Sequence, residues 1–208
     1  CTYHMTYVPD DGFEWWLEVT LNLQTFNYSS NLILDDSVRT AYLNTFSGQF
    51  WIEDVGGLSP PVNNLIGIEE MINLRELHFH GLDYGGTTMD LSQCISLEKL
   101  HIQGAPNLSS LSLPSSGSLK HLELQNWYTY SPILSIDLSQ CDSLSNLWIN
   151  NANLTSLDLS SCTALDYILL VGTEIDSLDL SHIQNPYHFD TESNDQLTYL
   201  NLRNNNSW

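Results

Sequence analysis

A leucine opens a string of the form Lxx[LI]x[LIF] at Leu74, Leu97, Leu119, Leu144, Leu165 and Leu197, in steps of 23, 22, 25, 21 and 32 residues. No single helix or strand accounts for a pattern renewed at that interval. Each unit is one strand plus a return segment, too short to bury its own apolar edge, so successive units must stack and share one core. The stretch LSNLWINNANLTSLDLSSCTA, from Leu144 to Ala164, shows a full unit, with Leu144, Leu147, Ile149, Leu154, Leu157 and Leu159 as its inward set. A second string recurs as MDLSQC at Met89, IDLSQC at Ile136, LDLSSC at Leu157 and LDLSH at Leu178. Its alternation of apolar and polar residues predicts a second short strand on the opposite wall of the coil.

The period and its internal pattern read as a leucine-rich repeat. The expected fold is an α/β solenoid dominated by strands, with repeats of about 21–25 residues and a helical amino-terminal cap. Residues 1–65 are assigned to the cap region and 66–208 to the repeats, the last of which ends mid-turn at LTYLNLRNNNSW and reads as truncated. Within the cap region, about Met5 to Glu18 is expected to be helical. Pro9 with Asp10 or Asp11 stands at its start, and Phe13, Trp16 and Leu17 follow at helical spacing. Asp35 to Leu43 is expected to form a second short cap element, and Gln49 to Val55 a first strand. The ninth place of each turn, where many leucine-rich repeats carry an Asn that satisfies backbone groups, reads Leu82, Ala105, Trp127, Ala152, Thr173 and Asn205. That departure predicts an irregular corner, with Asn151 and Asn153 as partial substitutes.

Several strings carry a family likeness. LTSLDLSSCTALDYI resembles the short repeats of secreted internalin-like proteins of Bacteroidetes, and YVPDDGFEWWLEV resembles their amino-terminal cap. DDSVRT at Asp35 and IGIEEMINLREL at Ile66 are similar to that cap and to its junction with the repeats, so the resemblance covers most of the chain. It implies a secreted or surface-held bacterial binding module, with no catalytic residues and no cofactor.

Five Lys plus Arg against 25 Asp plus Glu give a net charge of −20 in 208 residues. Such a chain repels phosphate backbones and anionic lipid, which excludes nucleic-acid binding and leaves a possible lipid on Cys1 as the sole membrane contact. Cys1 stands where a mature lipoprotein carries its lipidated thiol; the alternative is that the sequence merely begins there. Cys94, Cys141 and Cys162 each lie three residues before an opening leucine and so share one phase of the coil. They are expected to be buried, reduced thiols, since parallel inward side chains hold their Cβ atoms too far apart for a good disulfide. The column Asp90, Asp137, Asp158 and Asp179 reads as a solvated acidic stripe, a calcium ladder being the alternative.

Outward residues at the third, fifth and seventh places of each strand are free of packing demands, so their identity is informative. His78, His80, His101 and His121 cluster in the first three turns. Neutral imidazoles on adjacent strands can hold Zn²⁺ or Ni²⁺. The stagger argues against three nitrogens converging, so polar filler is expected and no metal is assigned. Farther along the same face come Glu123, Trp148, Tyr167, Tyr199 and Arg203, with Trp127 and Tyr128 in the lengthened turn. The 32-residue step reads as an insertion, HIQNPYHFDTESNDQ, presenting Tyr187 and Phe189 on a loop. Exposed aromatics on a rigid sheet suit protein hot spots and sugar stacking alike. The leading expectation is a protein partner bound through the strand face, outside the cell or on its outer surface; the alternative is a glycan bound by the aromatics. Catalysis is not expected, because Glu76 and Glu123 stand two turns apart, roughly 10 Å between backbones, with no nucleophile, zinc or phosphate motif beside them.

Overall fold

The computed structural model describes residues 5–20, 37–53, 61–80, 84–126, 129–184 and 186–203. In chain order its elements are β1 (Met5–Tyr7), α1 (Asp11–Thr20), β2 (Ser37–Arg39), α2 (Thr40–Thr45), β3 (Gln49–Glu53), β4 (Glu76–His80) and β5 (Thr88–Asp90). They continue as β6 (Lys99–Gln103), β7 (Ser110–Ser112), β8 (His121–Gln125), β9 (Asn146–Ala152), β10 (Tyr167–Thr173), β11 (Ser177–Asp179), β12 (His188–Asp190) and β13 (Tyr199–Asn201).

Alternation within each LxxLxL string sends its fourth and sixth places inward. Leu77 with Phe79, Leu100 with Ile102, Leu122 with Leu124, Leu147 with Ile149, and Ile168 with Leu170 are all buried, as are the opening leucines 74, 97, 119, 144 and 165. Removing each such side chain from water contributes about 1.5–3 kcal/mol, and the contacts run without a break from one turn to the next. The backbones join as a seven-stranded parallel sheet in the order β12-β10-β9-β8-β6-β4-β3. Equivalent places pair directly: Glu76 with Lys99, Lys99 with His121, His121 with Asn146, and Asn146 with Tyr167. A parallel sheet ordinarily has both faces covered. Here the coil covers one face only, and the outward residues of the other remain partly open to solvent.

The opposite wall is less regular than the sequence predicts. The strings at Met89 and Leu178 form β5 and β11, but those at Ile136 and Leu157 bury Ile136, Leu138, Leu157 and Leu159 without joining a strand. β7, which lacks the DLS signature, pairs with β5 instead. A local bond is common to all four DLS strings. The Asp carboxylate accepts the N–H of the Ser two residues on, at 3.0 Å for Asp90, 2.9 Å for Asp137, 2.9 Å for Asp158 and 2.8 Å for Asp179. The acidic column is therefore a series of Asx turns that bends the chain back toward the next strand. Cys94, Cys141 and Cys162 sit inside those bends as free, buried thiols.

The corner after each strand is ordered by its eighth place. Gly104, Asn151, Gly172 and Ser193 all have positive φ, at 86°, 54°, 62° and 55°. A Cβ added at Gly172 would stand 2.6 Å from Asn151 Oδ1. Asn side chains tie consecutive corners together: Asn126 Oδ1 accepts the Ala105 N–H at 2.9 Å, and Asn151 Nδ2 donates to the Asn126 carbonyl at 2.7 Å. Asn194 Oδ1 accepts the Thr173 N–H at 2.7 Å, while its Nδ2 donates to the Leu170 carbonyl at 2.7 Å. The corner expected to be irregular is thus held by Asn one place earlier in two turns.

The last step of the sequence pattern is corrected. β12 pairs with β10, Tyr167 opposite His188 and Ile168 opposite Phe189. HIQNPYHFD is therefore an ordinary turn of the coil and not an insertion, with Pro186 where an opening leucine would stand. LTYLNL, which reads as the next front strand, instead forms β13 and pairs with β11 on the opposite wall, Leu178 opposite Leu200.

At the amino-terminal side the helix starts later than the spacing predicts, because Met5–Tyr7 is a strand paired antiparallel with Ser37–Arg39. Asp10 is the N-cap of α1, its Oδ1 accepting the Phe13 N–H at 2.9 Å. Its Oδ2 accepts the N–H groups of Asn63 at 2.8 Å and Asn64 at 3.2 Å. The helix buries Phe13, Trp16 and Leu17, and the Phe13 ring meets Phe50 of β3 edge-on at 6.0 Å.

Candidate functional site

The register writes the outward residues of the sheet in straight columns. The third-place column reads Gln49, Glu76, Lys99, His121, Asn146, Tyr167, His188; the fifth reads Trp51, His78, His101, Glu123, Trp148, Leu169, Asp190. His78, His80, His101, His121, Glu123, Trp148 and Tyr167 thus share one face, as predicted from their spacing. Tyr199 and Arg203 do not: Tyr199 lies on the opposite wall in β13, and Arg203 follows it. Tyr187 precedes β12, is 85 % exposed, and donates its backbone N–H to Asp166 Oδ1 at 2.8 Å. Phe189 is partly buried and packs against the core. Trp127, Tyr128 and Cys1 lie outside the described residues.

Two constellations stand out on the face. The first is a depression of ≈ 250 Å³ over β8, β9 and β10, lined by His121, Leu122, Glu123, Asn146, Trp148 and Tyr167. Trp148 Nε1 is buried and has no hydrogen-bond partner. Tyr167 is held by the imidazole of His188, stacked 4.7 Å away at 20°. Burial keeps the His121 imidazole below its ordinary pKa, and the positive charges of Lys99 and Lys120 push the same way against Glu76 and Glu98.

The second constellation occupies β3, β4 and β6. The Trp51 indole lies flat on the buried His78 ring, with centroids 3.8 Å apart and planes within 2°. The His80 and His101 rings approach to 4.5 Å, and His78 lies 5.8 Å from His101. One ligating atom from each of His78, His80 and His101 lies within 4.8 Å of the other two. The stagger that argued against convergence is overcome because His101 stands directly opposite His78 and the His80 ring reaches across to His101. Burial lowers the pKa of His78, and the Glu76 hydrogen bond only partly restores it; burial, with His101 beside it, also lowers that of His80.

Cross-strand carboxylates complete the face. Burial alone would raise the Glu76 carboxyl, but hydrogen bonds from Lys99, His78 and Gln49 and the Lys99 charge hold it below the usual range. Lys99 Nζ lies 3.0 Å from Glu76, and Lys120 Nζ 2.8 Å from Glu98. Glu123 accepts from Gln125 Nε2 and lies 3.1 Å from His101 Nε2.

Parallel front strands, one per turn, opened by buried leucines and joined by Asn-tied corners, decide the class. The chain is a leucine-rich-repeat solenoid similar to the internalins. Solved structures like it include internalin InlF of Listeria monocytogenes, 17 % identical, covering 96 % of this chain and 70 % of that one with a TM-score of 0.36. The functional domain of InlJ from the same species, which includes a cysteine ladder, is 14 % identical over 98 % of this chain and 62 % of its own, with a TM-score of 0.27. Internalin C2, also from L. monocytogenes, is 15 % identical over 88 % of this chain and 94 % of its own, with a TM-score of 0.28. The sequence matches no protein-family model and no curated protein. The outward face of this coil is therefore read from its own residues. Two of them, Trp51 and His188, escape the leucine pattern because Ser47 and Pro186 occupy the first places of their turns. The alternation of Phe50 and Ile52, and of Phe189 alone, is the signal that could have found them.

Proposed function

We propose that this chain is a non-catalytic recognition module, displayed at or released from a bacterial surface, that binds a protein through the front sheet around Trp148 and Tyr167. Among the described residues no helix is long and apolar enough to cross a membrane. The observation that carries the reading is the Trp148 indole, a rigid apolar plate at the edge of a depression with its N–H buried and unpartnered. Leaving such a donor unsatisfied costs about 1–3 kcal/mol, and a carbonyl from a partner would remove that cost. Trp and Tyr in desolvated pockets are the residues that dominate protein-interface energetics. The net charge of −20 favours a partner with a basic surface. Glu76 and Glu123 support a non-catalytic role, being engaged by Lys99 and His78 and by Gln125 and His101.

The test is saturable binding of the labelled chain to cell-surface extracts, measured beside a Trp148→Ala, Tyr167→Ala variant with an unchanged circular dichroism spectrum. Binding that is abolished by protease treatment of the extract, and weakened at least about tenfold in the variant, is expected of a hot spot. Binding of equal strength in the variant would remove this face from the reading. Competition by soluble oligosaccharides would assign the aromatics to a glycan instead.

A further inference from the structure

We propose that His78, His80 and His101 form a binding site for a divalent transition-metal ion, with Zn²⁺ the ion best matched to three neutral imidazoles. The parallel register sets His101 directly opposite His78, and His80 projects from the same side of the same strand two residues on. An ion with Zn–N bonds of about 2.0–2.1 Å in tetrahedral geometry holds its nitrogens about 3.4 Å apart. The three donor atoms, all within 4.8 Å of one another, need only a small closing movement of side-chain torsions.

Three observations favour a ligand set over polar filler. His78 Nδ1, His80 Nε2 and His101 Nε2 are each buried with no hydrogen-bond partner, so one nitrogen per ring is already withdrawn from solvent, that of His101 with only the ion-pair contact to Glu123 beside it. Three such atoms in one cluster are a cost that a shared cation removes at a stroke. The other nitrogen of His78 is committed: Nε2 lies 3.2 Å from Glu76 Oε2, an acceptor. That contact selects the Nε2–H tautomer and leaves the Nδ1 lone pair free to ligate, the carboxylate–histidine–metal arrangement that orients zinc ligands. Finally, Trp51 stacked on His78 fixes the plane of that ring. Glu123 Oε1, 3.1 Å from His101 Nε2 but out of line for a hydrogen bond, adds negative potential beside the ligands.

Three protein ligands leave a fourth position for water or for a donor from elsewhere. The imidazole set also accepts Co²⁺, Ni²⁺ and Cu²⁺, with affinity rising in that order. His121, on the next strand, is outside the cluster, and Glu76 acts as a positioning residue through His78.

The experiment is calorimetric titration of the untagged full chain with ZnCl₂ near neutral pH, repeated with Co²⁺ to read coordination from its visible spectrum. The expected result is one Zn²⁺ per chain at micromolar affinity or tighter, with the intense visible bands of four-coordinate Co²⁺. His80→Gln and His101→Gln, confirmed folded by circular dichroism, should each weaken binding at least about 100-fold, and Glu76→Gln, which keeps every ligand, about 10–100-fold. Absence of a saturable single-site isotherm would overturn the proposal. So would binding that persists unchanged in His80→Gln and His101→Gln, since it would then belong to the acidic surface at large. Metal is titrated with no partner present, so failure here and failure of the Trp148 face are read separately.

Discussion

Asp10 joins two parts of the chain that are 53 residues apart in sequence, and its removal offers a quantitative test of how the helix is anchored to the coil. One carboxylate caps α1 through Phe13 and also receives the N–H groups of Asn63 and Asn64. Asp10→Ala loses an N-cap worth about 1 kcal/mol and two charge-assisted bonds. These would bring about 1.5–3 kcal/mol each if fully buried. Asn63 is exposed and Asn64 half-buried, so water replaces much of that second contribution. The expected loss is about 2–3 kcal/mol, which in a chain of this size lowers the melting temperature by about 4–12 °C. Asp10→Asn separates the two roles: its amide oxygen can keep the Phe13 bond, but its NH₂ then faces the donors of Asn63 and Asn64. Thermal unfolding by circular dichroism gives the total. Hydrogen exchange resolves the parts, with Asn63 and Asn64 faster in both variants and Phe13 faster in Ala alone. A loss below about 0.5 kcal/mol in Asp10→Ala, the level of ordinary surface changes, would refute the claim that this carboxylate anchors the helix.

Two further outcomes are expected. Burial, aided by nearby carboxylates and, at Cys162, first by Cys141, pushes the thiols of Cys94, Cys141 and Cys162 up from 9.0 to about 12, 11 and 12. Each folded value exceeds the unfolded one, so the stabilisation is complete below about pH 9 and is lost as pH climbs through 11 and 12. Denaturation midpoints should therefore hold up to about pH 9 and fall beyond it, and mass spectrometry after iodoacetamide treatment at pH 8 should find these three unlabelled in the native chain; rapid native labelling would contradict their burial. Phe189→Ala should cost about 1–3 kcal/mol in urea unfolding, reduced from the full-burial figure because the ring is only partly enclosed. Tyr187→Ala should stay within about 0.5 kcal/mol; equal losses would mean that the β12 turn is wrongly phased.

The central turns were legible because an opening leucine and two alternating apolar residues state the same strand three times over. The end turns were less so, since Ser47 and Pro186 replace that leucine: the first strand, expected from Gln49 to Val55, is found at Gln49–Glu53, whereas the turn at Pro186 read as an insertion and LTYLNL imitates a front strand while lying on the opposite wall. Both walls of a coil demand apolar alternation, so only hydrogen-bonded pairing tells them apart. For the same reason IDLSQC at Ile136 and MDLSQC at Met89 read alike, although only the second is a strand. On the face, spacing correctly gathered His78, His80 and His101 on adjacent strands. Whether their nitrogens meet is a matter of ring tilt, set by Trp51 stacked on His78 and by Glu76 bonded to its Nε2, and no periodicity encodes that.

The unbroken register of the front sheet makes its lateral geometry discrete. His101 and Trp148 belong to one column two strands apart, roughly 10 Å along the stacking axis. That separation can change only by whole strands, in increments of about 5 Å. The histidine cluster and the aromatic depression are thus marks on a ruler whose graduations are turns of the coil. A partner spanning both must match an integer number of them. Inserting one turn between β6 and β8 would lengthen that distance by one graduation while leaving His78, His80 and His101 on one side, and the residues that line the depression on the other, in place.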